Sequence, residues 1–150
     1  MANEIYQAYD SASTLYAFVY RQSDGYIWDV GDTAFEAIGT WNDARADECD
    51  ILLTPAGDMH FVDFPSGITD AGNYIVQIRI RAGASPDTDD MILSQGFMIW
   101  DGSAEVVLSD VEDKIDIVDS NVDDLILAAG KVNNVYPAAT PEQYNPLGKL

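Results

Sequence analysis

Two residues could form a nucleophilic pair, the single histidine, His60, and the single cysteine, Cys49. In such a pair the imidazole takes the thiol proton and the thiolate attacks the substrate. No local catalytic signature accompanies either residue, because His60 falls in a strand-like run and Cys49 in a loop-like stretch. A small hydrolase therefore stays an open hypothesis, while the sequence favours a protein that is not an enzyme.

Aspartate clusters offer a second kind of chemistry, the binding of calcium. Asp87, Asp89 and Asp90 provide alternating oxygen ligands in a polar loop, and Asp29 and Asp32 form another cluster. Neither stretch has the loop pattern of an EF-hand, so solvated turn aspartates are the preferred interpretation. The sequence also has no glycine-rich phosphate loop, no histidine pair and no Gly-x-Ser-x-Gly motif. We therefore expect no cofactor, and calcium binding stays open.

Charge restricts the classes of partner. The 150 residues include 26 acidic and 7 basic side chains, which gives a formal net charge of −19. A surface this acidic repels phosphate groups, so we expect neither nucleic acid nor an anionic membrane as a partner. This net charge is compatible with docking on a basic protein surface, with solubility at high concentration and with adaptation to a salty medium.

The length suits one domain, or one domain with an appendage. A single cysteine excludes a disulfide within the chain. The first residues lack the basic and apolar regions of a signal peptide, and no run reaches the roughly 18–20 apolar residues of a membrane helix. We therefore expect synthesis in a cytoplasm without export.

Short strands are predicted to fill residues 1–102. Apolar runs alternate with turn signals such as Asp24-Gly25, which predicts roughly eight strands and no long helix between them. The clearest strand lies within Asp70–Ala82. Its apolar face carries Tyr74, Val76, Ile78 and Ile80. Its other face carries Gln77, Arg79 and Arg81, together with Ile75. The fold class that follows is mainly β, an antiparallel immunoglobulin-like sandwich with the first face in the core and the second in water.

The turn before this strand resembles a tyrosine corner. Asp70-Ala-Gly-Asn-Tyr74 matches the corner of immunoglobulin-like domains, in which the tyrosine hydroxyl bonds to backbone just upstream. An ordinary turn is the alternative. Val76 stands where antibody domains have a cysteine, so the expected sandwich lacks their disulfide.

Three other segments have weaker local signals. Residues 39–49 have little periodicity, which predicts a loop or a single helical turn that carries Trp41. Pro55-Ala-Gly-Asp58 predicts a four-residue hairpin connection between two strands. Gly96 predicts a bulge in the last strand-like run.

The apolar period changes after residue 102. Apolar residues then follow one another at spacings of 3 and 4, namely Leu108, Val111, Ile115, Val118, Val122, Leu125, Ala129 and Val132. Ser109–Glu112 reads as a capping box, so we expect a helix from about Asp110 to Gly130. Because β-branched residues occur at both seam positions, the pattern favours a homotrimeric coiled coil over a parallel dimer. The alternative is a helix folded back onto the strand domain.

The final residues have three prolines and no period. As a binding arm they would lie extended along another chain, and as a terminus they would fray. The anchors of such an arm would be Tyr136, Tyr144, Leu147 and Leu150. The predicted organisation is therefore a β-sandwich domain over 1–102, a coiled-coil helix over 103–132 and an extended arm over 133–150.

Several short stretches carry a resemblance to a known group of proteins. They are Tyr9-Asp-Ser-Ala-Ser-Thr-Leu-Tyr-Ala-Phe-Val-Tyr20, Gly25-Tyr-Ile-Trp28, Phe35-Glu-Ala37, Phe64-Pro65, Ala71-Gly-Asn-Tyr74, Arg81-Ala-Gly-Ala-Ser-Pro86 and Trp100-Asp-Gly-Ser-Ala-Glu105. With the aspartate-rich heptads, this layout resembles structural proteins of tailed bacteriophages. These are appendage, fibre and decoration proteins that join an immunoglobulin-like or baseplate-upper-protein-like domain to a trimerising coil. The resemblance covers about residues 5–130.

The resemblance implies a non-enzymatic virion protein, foremost a trimeric capsid decoration or short head-fibre protein. Its implied partners are phage capsid or tail proteins, and a tail or baseplate appendage is the nearest alternative. A carbohydrate-binding module is a hypothesis of another class, in which exposed Trp28, Trp41 or Trp100 would stack on sugar rings. The favoured interpretation of these tryptophans is that they are core residues.

Overall fold

The structure is a computed structural model that describes residues 3–107 and 109–122. These residues form nine strands and two helices. The strands are β1 (Ile5–Ala8), β2 (Thr14–Arg21), β3 (Ile27–Asp29), β4 (Ala34–Glu36), β5 (Ile51–Leu52), β6 (Thr54–Ala56), β7 (Met59–Val62), β8 (Gly72–Arg81) and β9 (Ile92–Trp100). The helices are α1 (Asp43–Cys49) and α2 (residues 109–122). The predicted β-rich fold with a C-terminal helix is confirmed.

The strands form two antiparallel sheets. The larger has six strands, in the order β4-β3-β2-β8-β9 with β5 also paired to β2, and the smaller has the order β1-β7-β6. The long strands β2 and β8 are the centre of the larger sheet, where Leu15 lies opposite Ile80 and Tyr20 opposite Ile75. The strand predicted from Asp70–Ala82 is therefore a central strand.

One core joins residues of both sheets. Ile5 of β1 packs in the same cluster as apolar residues of β2, β8 and β9. The fully or almost fully buried members are Ile5, Leu15, Ala17, Val19, Trp28, Leu53, Phe64, Ile68, Tyr74, Val76, Ile78, Met98 and Trp100. Burial of each large apolar side chain contributes about 1.5–3 kcal/mol before conformational entropy is counted.

The opposite face of the larger sheet is also covered. Tyr16 and Phe18 of β2 form a second buried cluster with Cys49 and a second residue of α1, Ala46. Gln77 and Arg79 of β8 were predicted to face water, and that prediction is wrong because both are only 8% exposed.

Hydrogen bonds satisfy these buried polar side chains. The Arg79 guanidinium donates to Gln77 Oε1 at 2.9 Å and to the Thr88 carbonyl at 3.1 Å. It also lies 5.4 Å from the ring centroid of Phe18. A buried charge is tolerated only with such partners, and the sequence alternation does not reveal them.

The predicted tyrosine-corner hydrogen bond is confirmed. Tyr74 Oη donates to the carbonyl of Asp70 at 2.7 Å. The predicted turn at Asp24-Gly25 is also present, since Gly25 has a φ of +74° and Asp24 accepts a hydrogen bond from the backbone N–H of Tyr26. Glycine adopts this conformation without the steric cost of a side chain.

Residues 39–49 differ from their prediction. The segment contains a seven-residue helix, α1, rather than a loop or a single turn. Asn42 is its N-cap, and its side chain accepts a hydrogen bond from the Arg45 N–H at 2.9 Å. Trp41 precedes the helix and packs against the second cluster. Asparagine is a common N-cap residue, so Asn42 was a sequence signal for a helix start. A helix of seven residues is too short to show a clear apolar period.

The predictions for Pro55 and Gly96 are also wrong. Pro55 lies within β6, so the hairpin connection is only Gly57 and Asp58, and Gly57 has a φ of +64°. Gly96 pairs directly with Val76 without a bulge. The irregularity in this ladder instead falls at Leu93, where the register shifts between Ile78 and Arg79.

The chain divides into two compact units, Met1–Val106 and Val107–Leu150. In the second, α2 begins at residue 109, so Ser109 lies inside the helix and is not the predicted cap. Asp110 Oδ2 accepts a hydrogen bond from the Val107 N–H at 3.0 Å. The Asp110 N–H in turn donates to the Val107 carbonyl at 3.0 Å. The capping contact is therefore formed two residues earlier than the sequence predicts.

Candidate functional site

The most prominent candidate for binding is the apolar stripe of α2, defined by Val111, Ile115, Val118 and Val122. The spacings of 4, 3 and 4 place these four residues on one side of a helix. Their exposed fractions in the single chain lie between 42% and 58%. Valine and isoleucine side chains are entirely apolar, so an exposed stripe of them favours association with another surface.

Other predicted seam and arm residues lie outside the described residues. They are Leu108, Leu125, Ala129, Val132, Tyr136, Tyr144, Leu147 and Leu150. Within the described helix, Ile117 is an additional exposed apolar residue, and the heptad pattern does not include it. The heptad spacing gives no signal for Ile117, because this residue lies outside the seam positions.

The surface of α2 is acidic. Asp110, Glu112, Asp113, Asp116 and Asp119 are all exposed, against one basic residue, Lys114. Acidic residues in the first turn stabilise a helix through its dipole, but those further along repel one another. Association of several such helices therefore increases charge repulsion, which salt would screen.

Cys49 and His60 occupy different environments. Cys49 is buried beside Tyr16 and Phe18 in the second cluster, and burial raises the pKa of its thiol to about 11. His60 is buried in β7, where Nε2 lies 3.1 Å from the Asp10 carbonyl and Nδ1 has no hydrogen-bond partner in the described residues. A raised thiol pKa disfavours the thiolate that nucleophilic catalysis requires.

The tryptophans are largely core residues. Trp100 is 2% exposed, and its Nε1 donates to the Ile68 carbonyl at 2.9 Å. Trp28 is also buried and packs against Phe35. The interpretation of these two residues as core is confirmed, so neither has an exposed ring that could stack on a sugar. Trp41 is half-buried, in an edge contact with Phe18.

A cluster of carboxylates surrounds Arg45. Asp29, Asp32 and Glu36 each place an oxygen within 4.8 Å of the others. Arg45 donates to Asp29 at 2.6 Å, to Glu48 at 3.0 Å and to Glu36 at 3.2 Å. The guanidinium therefore already supplies the positive charge that a cation would bring.

This ion-pair cluster connects α1 to β3 and β4. The backbone N–H of Asp32, followed by Arg45, lowers the pKa of the Asp29 carboxyl despite its burial. Burial alone would lower the pKa of Arg45, but hydrogen bonds to Glu48 and Asp29 raise it above its usual range. Both groups are thus held in their charged forms, and the cluster fixes the helix to the sheet.

Asp90 forms a second polar centre, although its sequence predicted a solvated turn aspartate. It is 6% exposed, so that interpretation is wrong for this residue. Its carboxylate accepts hydrogen bonds from the backbone N–H groups of Ala82 and Asp87, each at 3.0 Å, and from Tyr16 Oη at 2.9 Å. Burial would raise the pKa of Asp90, but these donors lower it. Donors occupy both oxygens, which leaves them poorly placed for calcium.

No protein family, curated protein or solved structure matches this chain. No helix in residues 3–107 and 109–122 is long and apolar enough to cross a membrane.

Proposed function

We propose that this chain is a non-enzymatic structural protein of a bacteriophage virion, foremost a trimeric capsid decoration or short head-fibre protein. A tail or baseplate appendage is the alternative. The virion assignment is supported by the resemblance of layout and short phrases over about residues 5–130. The tyrosine-corner hydrogen bond from Tyr74 to Asp70 is compatible with the immunoglobulin-like sandwich that this resemblance implies.

The stripe of α2 is the observation that carries the proposal of assembly. Four β-branched side chains are about half exposed at heptad spacing. Helices with β-branched residues at both seam positions pack better as three than as two. The occupant of the stripe in this proposal is therefore the same stripe of two further copies.

The described part of the helix covers two heptads of the stripe. Its 14 residues, 109–122, span about 21 Å. Acidic residues on its surface add repulsion between copies. Trimer formation should therefore be weak at low salt and stronger when salt screens the carboxylates.

Substitution of the stripe tests the assembly step. In Val118→Asp/Val122→Asp, each carboxylate would appear three times around one axis, and burial of such charges costs several kcal/mol per ion, about the whole stability of a short coil. We expect the wild type to sediment as a trimer at 0.5 M NaCl and the double variant as a monomer. Circular dichroism should show the same β structure in both.

Ile117 provides a matched control. Its side chain is 62% exposed and lies off the stripe, so Ile117→Asp should leave the trimer intact. A wild type that is monomeric at tens of micromolar and at high salt contradicts autonomous trimerisation. Equal dissociation by Ile117→Asp would show that charge, rather than the stripe, decides assembly.

The virion assignment requires a separate measurement. Immunogold electron microscopy of purified phage particles should show label on the head, or on the tail if the alternative is correct. Label found only in the cytosol of infected cells contradicts both.

A further inference from the structure

β9 is an edge strand without the usual protection. It lies at one end of the six-stranded order, and its nine residues, Ile92–Trp100, include no charged residue and no proline. Native edge strands normally carry charged residues or proline. Without them, the unpaired backbone N–H and carbonyl groups of the edge can pair with a strand of another chain. The Leu93 irregularity affects only the beginning of β9.

Two residues of β9 present free backbone groups at this edge. Near the end of the strand, the Ile99 carbonyl points outward and accepts a hydrogen bond from the Val106 N–H at 2.8 Å. Outward and inward groups alternate along an antiparallel strand, so the N–H and carbonyl groups of Gln95 and Phe97 also point outward. Within the described part of the chain, no backbone partner covers them.

A groove of about 280 Å³ lies beside these groups, between β1 and β9. Core residues form part of its lining, namely Ile5, Val76, Ile78 and Met98. Gly96 faces the same side as its partner Val76, and a Cβ at Gly96 would meet no atom within 4 Å. The groove therefore reaches the edge of the core, although the core residues in its lining are at most 9% exposed.

The rim of the groove is acidic. Tyr6 and Phe97 also line the groove, but the Phe97 side chain lies on the opposite face of β9 from Gly96. Glu4 and Glu105 also line the groove, and this stretch of lining has no basic side chain. An occupant with apolar side chains inward and basic side chains at the rim would match both features.

We propose that this groove accepts an extended basic segment of another protein, which adds as a short strand along Gln95–Phe97 of β9. Main-chain hydrogen bonds to Gln95 and Phe97 would supply affinity, and a side chain placed over Gly96 would supply specificity. A second copy of the acidic chain is a poorer occupant because its charge repels this rim. The proposal is independent of the trimer and of the virion assignment.

The structure limits the length of the added strand. Ser94 Oγ donates to Gln7 Oε1 at 2.6 Å, and this contact joins β9 to β1 at one end of the groove. At the other end, Glu105 forms an isolated antiparallel β-bridge with Trp100. The added strand can therefore pair with about three residues, Gln95–Phe97.

A designed peptide tests the proposal directly. The probe is a short blocked peptide that alternates valine with lysine, and the comparison is the same peptide with glutamate for lysine. By NMR titration of the full chain, the basic peptide should shift the amides of Gln95 and Phe97 and slow their hydrogen exchange. The acidic peptide should have no such effect, and Glu4→Gln/Glu105→Gln should reduce the difference between the two.

Two pairs of variants locate the site. Gly96→Val fills the groove and should weaken binding at least about tenfold without loss of thermal stability, whereas Gly83→Val, in an open loop, should leave binding unchanged. Phe97→Pro removes an outward N–H that no ladder uses, so it should weaken binding more than Phe97→Ala.

Absence of binding by the basic peptide to the wild type overturns the proposal. Equal binding by wild type and Gly96→Val overturns the placement in the groove. A concentration-dependent dimer that competes with the peptide identifies a second copy as the occupant and contradicts the basic partner.

Discussion

Substitution of Asp90 by asparagine removes one charge from the most buried carboxylate of the loop between β8 and β9. In the wild type, Oδ1 accepts from the Ala82 N–H, and Oδ2 accepts from the Asp87 N–H and from Tyr16 Oη. An asparagine side chain has a single oxygen. If that oxygen faces Ala82, the new amide group points its hydrogens at the Asp87 N–H, so two donors oppose each other.

The magnitude follows from these contacts. Hydrogen bonds to a charged acceptor contribute about 1.5–3 kcal/mol, and loss of a partner leaves a buried donor unsatisfied. Tyr16 can limit the loss, because its hydroxyl can rotate to accept from the new amide and lies 3.4 Å from the Asp87 carbonyl. We therefore expect Asp90→Asn to lower the free energy of unfolding by about 2–3 kcal/mol at pH 7.

The loss should depend on pH. The pKa of Asp90 is lower in the folded protein than its usual value, so its contribution is complete above the unfolded pKa of about 3.9. As pH falls through the folded pKa, the wild type loses this contribution and the asparagine variant does not. The difference in free energy of unfolding between the two proteins should therefore be largest at neutral pH and shrink below about pH 4.

Urea unfolding at pH 7 and at pH 3, followed by tryptophan fluorescence, measures this difference. Asp89→Asn is the matched control, since Asp89 is exposed in the same loop and should change stability little at either pH. A loss of less than about 0.5 kcal/mol for Asp90→Asn, or a loss equal at both pH values, would refute the argument from the buried carboxylate.

Three further predictions concern the Cys49 thiol, the Arg45 ion-pair cluster and Gly102. The Cys49 thiol should resist Ellman's reagent at pH 8 in the folded protein, because burial raises its pKa to about 11, and should react at once in urea. Asp29→Asn should cost about 2 kcal/mol by urea unfolding, whereas Glu48→Gln, on the exposed side of the same ion-pair cluster, should cost less than about 0.5 kcal/mol. Gly102→Ala should cost about 2 kcal/mol or more in thermal unfolding, because Gly102 has a φ of +106° and a Cβ there would lie 2.8 Å from the Thr69 carbonyl oxygen.

Features encoded by neighbouring residues were predictable. The Tyr74 corner depends on a turn four residues upstream, and the turn at Asp24-Gly25 depends on a positive φ at one glycine. The heptad spacing from Val111 to Val122 likewise predicted helix, and residues 109–122 are helical. In each case a local conformational preference and the final structure agree.

Features set by distant parts of the chain were not predictable. Alternation in β8 showed that Gln77 and Arg79 share a face, but not that this face would be covered. Asp90 has the same local sequence whether its oxygens face water or the N–H of Ala82. Pro55 suggested a turn, yet β6 is an edge strand and tolerates a missing backbone donor.

The acidic composition of the chain affects what can pair with the uncharged edge strand β9. An uncharged edge strand with exposed Phe97 would ordinarily promote pairing between copies. With a net charge of −19, approach of two copies is repulsive over roughly a Debye length, about 10 Å at 0.1 M salt. The same charge attracts a basic partner. In the proposed docking, this long-range repulsion would therefore favour a basic partner over a second copy at the edge of β9, which is uncovered within the described residues.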